Sequence, residues 1–124
     1  MIFIQLTDTE RLTIAPLQEA DHLFIMELLN TEGWIKFIGD RNVHSPEDAL
    51  AYIHKVNANN AIRYWTVKTK HNNIPIGIVT LIQRDYLHQP DIGFAFLPAA
   101  AGKGYALEAS AALMEKLLAD NNIT

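Results

Sequence analysis

A mixed α/β (α+β) fold is what this sequence predicts, and three features lead there. Strand-like alternation of apolar and polar residues recurs in short runs, helical periodicity recurs in longer ones, and the two kinds of run interleave. The length of 124 residues suits one domain spanning 1–124, with room for a real core and none for a second. Apolar residues make up 49% and charged residues 19%, the balance of a globular chain rather than a disordered one.

Ile2, Ile4 and Leu6 alternate with Phe3 and Gln5, and Leu12 and Ile14 alternate with Arg11 and Thr13. Both runs read as strand, separated by a polar turn over Thr7-Asp8-Thr9-Glu10. Pro16 ends the extended stretch. Gln18 to Asn30 reads as helix, with Ala20, Phe24 and Leu28 on one stripe. Leu23, Ile25, Met26 and Leu29 widen that stripe, so the helix is buried on more than one side. Ser45-Pro46-Glu47-Asp48 starts the next helix: a serine cap, a proline at the tolerated first position, two acids at the positive end of the dipole. It runs to about Val56 and stops in Asn57-Ala58-Asn59-Asn60. Ile62 to Thr69 alternates again, and His71-Asn72-Asn73 turns it into Ile74 to Ile82, an antiparallel hairpin. Gln83 to Pro90 is a polar loop, Asp91 to Leu97 a strand, and Pro98 to Lys103 a loop of small residues. From Gly104 to about 120 a helix places Ala106, Ala109, Leu113 and Leu117 on one face. Ile123-Thr124 opens a further strand.

Composition excludes several function classes. The net charge of −4 supplies no basic field for a nucleic acid. Without cysteine there is no disulfide, thiolate nucleophile or zinc–thiolate site. No apolar run approaches the about 20 residues of a membrane span, and the N-terminal run lacks the basic region and cleavage site of a signal peptide. A soluble cytoplasmic protein is the expectation. The five histidines show no metal-ligand spacing, so no metal is expected.

The stretch from Asp91 to Ala109 carries the chemistry. It sets a strand, a loop without bulky side chains and a helix N-terminus in immediate succession. The first N–H groups of a helix have no intrahelical partner, and the helix dipole favours an anion there. Gly102 and Gly104 let the backbone curl towards a phosphate, Ala101 and Ala106 keep the approach clear, and Lys103 adds a charge at the rim. A diphosphate therefore suits the loop better than a carboxylate; a tight turn that serves only packing is the other reading. The third glycine and downstream acid of a dinucleotide fingerprint are missing, as is the Lys-Ser or Lys-Thr that closes a P-loop.

The strand, Pro98, Gly102-Lys103-Gly104-Tyr105-Ala106 and then Glu108-Ala109 together resemble the acetyl-coenzyme A signature of the GNAT superfamily of N-acetyltransferases. The resemblance is strongest to the branch that includes the ribosomal-protein N-terminal acetyltransferases. The superfamily pattern of Gln or Arg, two residues, Gly, one residue, Gly or Ala falls on Ala101, Gly104 and Ala106, and Ala101 departs from it. Thr9-Glu10-Arg11-Leu12 is similar to the opening of that branch. Trp34 to Arg41 with Pro46-Glu47-Asp48-Ala49 is similar to its second-helix region, and Ile76-Gly77-Ile78 and Asp91-Ile92-Gly93-Phe94 to its central strands.

The resemblance implies a central, mostly antiparallel sheet flanked by helices, and acetyl transfer from acetyl-CoA to an amine of a small molecule or protein N-terminus. It implies that Phe96 and Leu97 offer backbone bonds to the pantetheine arm and that the Gly102 to Ala106 amides hold the pyrophosphate. Asp91 falls where some members place the carboxylate base; an exposed acid after a loop is its other reading. Trp34, Phe37 and Arg41 are candidates for the acceptor pocket, with core positions the alternative for Trp34 and Phe37. Glu108 is expected to make a structural hydrogen bond near the helix start, and Arg84-Asp85 an exposed ion pair, with contact to substrate as its other reading. Members continue past the 104–120 helix with further strands, so the resemblance also implies a domain cut short at Thr124, completed by self-association or by a separate C-terminal segment. An acyl-CoA-binding module without catalysis and an inactive fragment stand as the alternative functions.

Overall fold

The computed structural model describes residues 7–83 and 91–121. The expected strand at 2–6, most of the loop before Asp91 (with Arg84, Asp85 and His88) and the opening strand at Ile123-Thr124 lie outside these residues. Five strands form one sheet in sequence order: β1 (Thr7–Asp8), β2 (Leu12–Pro16), β3 (Ile62–Thr69), β4 (Pro75–Ile82) and β5 (Asp91–Phe96). Every neighbouring pair is antiparallel. Four helices cover the sheet: α1 (His22–Leu29), α2 (Glu32–Phe37), α3 (Pro46–Ala58) and α4 (Tyr105–Asn121).

Alternation along the strands builds two cores, one on each side of the sheet. Trp65 and Val67 of β3 join Val79 and Leu81 of β4 beneath Ala109 and Leu113 of α4. On the other side Ile78 packs with Phe24, Ile25 and Leu28 of α1 and Ile53 of α3. Tyr64 of β3 faces this second cluster, so β3 is covered on both faces.

Several local assignments differ from the sequence expectation. Thr7 and Asp8, expected in a turn, pair with Ile14 and Thr13, and the reversal tightens to Thr9–Arg11, closed by the Thr9 N–H on the Leu12 carbonyl at 2.8 Å. The helix expected from Gln18 begins with a 3₁₀ turn at Glu19–Asp21 and becomes α-helical only at His22. The Asp21 carboxylate explains that tight first turn: it accepts from the Gln18 N–H at 3.0 Å and from the Thr66 hydroxyl at 2.8 Å, fixing the helix start to β3. Periodicity gave no signal for the six-residue α2, where the Thr31 hydroxyl caps the Trp34 N–H at 3.2 Å. Ser45 caps α3 as expected, accepting from Asp48 N–H at 3.1 Å, and that helix runs two residues past Val56. A 3₁₀ turn at Pro98–Ala100 replaces the first half of the expected small-residue loop. Among the described residues no helix is long and apolar enough to cross a membrane.

Candidate active site

β5 ends at Phe96 and α4 begins at Tyr105, and the eight residues between carry the unusual backbone of the site. Gly102 and Gly104 hold φ of +76° and +77°, the left-handed region that side chains resist. A Cβ added to Gly104 would lie 3.5 Å from the Arg11 guanidinium, so the strain there is conformational rather than a clash. The Glu108 N–H donates to the Gly104 carbonyl at 3.1 Å, which makes it the first amide of α4 to find an intrahelical partner. The amides of 104–107 precede it and are the free donors of a helix start. Ala101 differs, because its N–H donates to the Pro98 carbonyl at 3.1 Å.

Arg11, at the entrance to β2, locks this loop from behind. Its Nη1 donates to the Lys103 carbonyl at 3.0 Å and its Nε to Glu108 Oε1 at 2.7 Å. The guanidinium also lies 4.5 Å over the Tyr105 ring centroid, a cation–π distance. Glu108 accepts further from the Arg11 backbone N–H at 3.1 Å and from the Thr9 hydroxyl. Partial burial pushes the Glu108 carboxyl up, but the hydrogen bonds from Thr9 and Arg11 and the Arg11 charge outweigh it and hold the carboxyl below its ordinary value. Glu108 is thus a structural anchor. Sequence reasoning quoted Arg11 only as part of an opening motif; its approach to a loop about ninety residues on leaves no trace in local pattern.

The β4–β5 register decides which backbone groups are free. Leu97 N–H donates to the Ile76 carbonyl at 2.8 Å, and the Leu97 carbonyl accepts from Ala100 at 2.9 Å. The Leu97 N–H is thus engaged within the sheet, while its carbonyl keeps a second lone pair. Antiparallel pairing alternates inward and outward groups, so those of Ile92, Phe94 and Phe96 face away from β4. The Phe96 ring lies directly on Gly77: a Cβ there would come within 2.5 Å of it and 2.8 Å of the Ala95 carbonyl.

Two clefts meet at this strand edge. One, of about 380 Å³, lies between Phe94 and Phe96 and the run from Ala100 to Ser110, including Gly102, Gly104 and Ala106. The other, of about 240 Å³, lies between the same two aromatic residues and Leu28, Thr31, Gly33, Trp34 and Ile38. Trp34 is 5% exposed, so it is both core and wall, and its indole N–H is buried with no hydrogen-bond partner among the described residues. Arg41 is exposed and lies outside that lining; its charge is felt at Tyr52. Phe37 closes α2, and its side chain lies outside the described structure. Asp91 is exposed at the far end of β5, paired with Ile82. At roughly 3.3 Å per residue it stands about 17 Å from Phe96, and alternation puts it on the face of Gly93 and Ala95. Lys103 is exposed and enters the anchoring through its carbonyl. Among the described residues no cluster of His, Cys, Asp and Glu could hold a metal ion.

The edge strand of this sequential antiparallel sheet leads through a loop with two glycines at positive φ into the long helix α4. The chain belongs to the acetyltransferase (GNAT) domain family, whose pattern it matches over residues 11–124. It is 29% identical over 107 residues to an uncharacterized N-acetyltransferase, YnaD, of Bacillus subtilis (strain 168), covering 86% of this chain and 62% of that protein. The chain thus spans less than two thirds of that relative's length. Three solved structures share the fold. A GNAT-family acetyltransferase from Bacillus anthracis superposes with a TM-score of 0.79 at 24% identity, over 96% of this chain and 69% of the other. The ribosomal-protein-S5-alanine acetyltransferase of Vibrio fischeri gives 0.74 at 19%, over 95% and 69%. A spermidine N-acetyltransferase of Vibrio cholerae in complex with CoA and spermine gives 0.75 at 23%, over 93% and 68%.

Proposed function

We propose that this chain binds acetyl-CoA across the edge of β5 and supports transfer of its acetyl group to an amine, within the cytoplasm. The observation that carries the reading is the junction of two clefts at Phe94 and Phe96, one of them lined by the residues that open α4. The Gly102 to Ala106 amides hold the diphosphate, since free N–H groups and the helix dipole converge there. The outward main-chain groups of Phe94 and Phe96 pair with the amides of the pantetheine arm, as an edge strand pairs with an added strand. Gly77 leaves the space in which the Phe96 ring lies, and so keeps that edge in place.

The acceptor amine enters from the α1–α2 side. Its nitrogen lone pair attacks the thioester carbonyl, the new C–N bond forms, the C–S bond breaks, and the further proton the nitrogen loses passes to the departing sulfur, which leaves as the coenzyme thiol. The ammonium proton must leave first, and Asp91, on the acceptor face a strand's length from the diphosphate loop, is the candidate base. Burial, the neighbouring Tyr64 charge and the hydrogen bond to Tyr64 raise the pKa of Tyr52 far above the usual phenol range, against a smaller lowering by Arg41. Tyr52 stays neutral and is no competitor for that role. The described lining of the acceptor groove is apolar but for Thr31 and the Trp34 indole. That lining suits an amine carried on an uncharged group better than a polycation, which needs carboxylates.

Replacing Gly104 with Glu tests the coenzyme site. A side chain is strained at the left-handed φ of this position and brings negative charge to the amides, so coenzyme A binding measured by calorimetry should vanish. Unchanged affinity would move the site elsewhere.

A further inference from the structure

Resting on that coenzyme site, we infer that Arg11 is a positioning residue: it sets the direction of the loop amides that grip the diphosphate without touching the ligand itself. Arg11 does not line the coenzyme cleft. It lies behind the loop, in a separate surface pocket with Glu10, Lys70 and Tyr105. From there it holds three successive parts of the helix entrance: the Lys103 carbonyl, the Tyr105 ring and the Glu108 carboxylate.

The Lys103 carbonyl is the informative partner. It lies between two glycines at positive φ, where the peptide plane would otherwise be free to rotate. In a planar trans peptide the carbonyl of one residue and the N–H of the next point in opposite directions. Drawing the Lys103 carbonyl to Arg11 therefore aims the Gly104 N–H away from Arg11. The main chain of Arg11 is itself fixed, its N–H on Glu108 and its carbonyl on the Lys70 N–H at 2.8 Å. The aim of the loop is thus referred to β2 and β3, rigid parts of the sheet. Because Glu108 balances the guanidinium at 2.7 Å, geometry rather than net charge is what Arg11 supplies.

The test compares coenzyme A with pantetheine, which lacks the diphosphate, by calorimetry on the parent chain, Arg11→Met and Arg11→Lys. The expected result is that Arg11→Met weakens coenzyme A about tenfold or more and leaves pantetheine within twofold. Arg11→Lys keeps the charge but cannot bridge the three partners at once, so it should weaken coenzyme A nearly as much. It also stands in if the Met variant fails to fold. Parental coenzyme A affinity in either folded variant overturns the inference, as does loss of both ligands by one common factor, which would mark a general structural role. A parent that binds the two ligands equally well would instead strike the diphosphate site itself.

Discussion

Gly77 shows how one residue can shape the site without touching chemistry. Any side chain at 77 must displace the Phe96 ring and the Ala95 carbonyl, and overpacking of this kind costs about 1–3 kcal/mol. Gly77→Ala should lower stability by that amount in denaturant titration and weaken coenzyme A binding in parallel; a variant of parental stability would mean the strand edge yields freely. Asp91 makes a different demand. The base role proposed for it would contribute to rate and not to coenzyme affinity, so Asp91→Asn should slow acetyl transfer at neutral pH by about 10². Calorimetry should show coenzyme binding intact. Equal rates for parent and variant at every pH would remove it from the mechanism.

At the scale of elements, the start of α4 depends on a clamp from the opposite end of the sheet. The Glu108 carboxyl is held below its ordinary value, so folding favours its ionised form. The stability it contributes is present above the ordinary carboxylate pKa and is lost as pH falls through the depressed folded value. Glu108→Gln should accordingly be less stable than the parent at neutral pH, and the gap should close with acidification below about pH 4.5, the ordinary value. A gap that does not change with pH would assign the contribution to hydrogen bonding alone. The starts of α2 and α3 rely on local devices: Thr31 and Ser45 cap them from the position just before each helix.

The molecule as a whole is a sheet covered on both faces, with β5 at one edge and no strand beyond it among the described residues. Phe94 is 58% exposed at that edge, and on α4 Leu107 and Met114, seven residues apart on one stripe, are 77% and 42% exposed. At about 25 cal/mol per Å², leaving a few hundred Å² of such surface in water forgoes several kcal/mol, against a total domain stability of about 5–15 kcal/mol. Open apolar edges recruit strands. The 124-residue chain is therefore expected to self-associate through β5 at low micromolar concentration in light scattering, and a monodisperse, folded monomer would contradict this.

Sequence alone determined what repeats locally. Alternation placed β3 at Ile62–Thr69 to the residue, the Ser45-Pro46 start located α3, and the small residues around Gly102 and Gly104 marked the helix entrance. Each is a short-range preference of the backbone, so it is legible in the letters. The 3₁₀ turn at Glu19–Asp21, the pairing of Thr7–Asp8 with β2, and α2 were not legible, because partners elsewhere decide the first two and α2 is too short for periodicity. Tertiary structure alone brought Arg11 to Lys103 and Glu108, engaged the Leu97 main chain with Ile76 and Ala100, and laid Phe96 on Gly77. It also left Arg41 outside the lining of the cleft that Trp34 walls. Those outcomes depend on sheet register and on contacts between residues far apart in the chain, and local preference does not encode either.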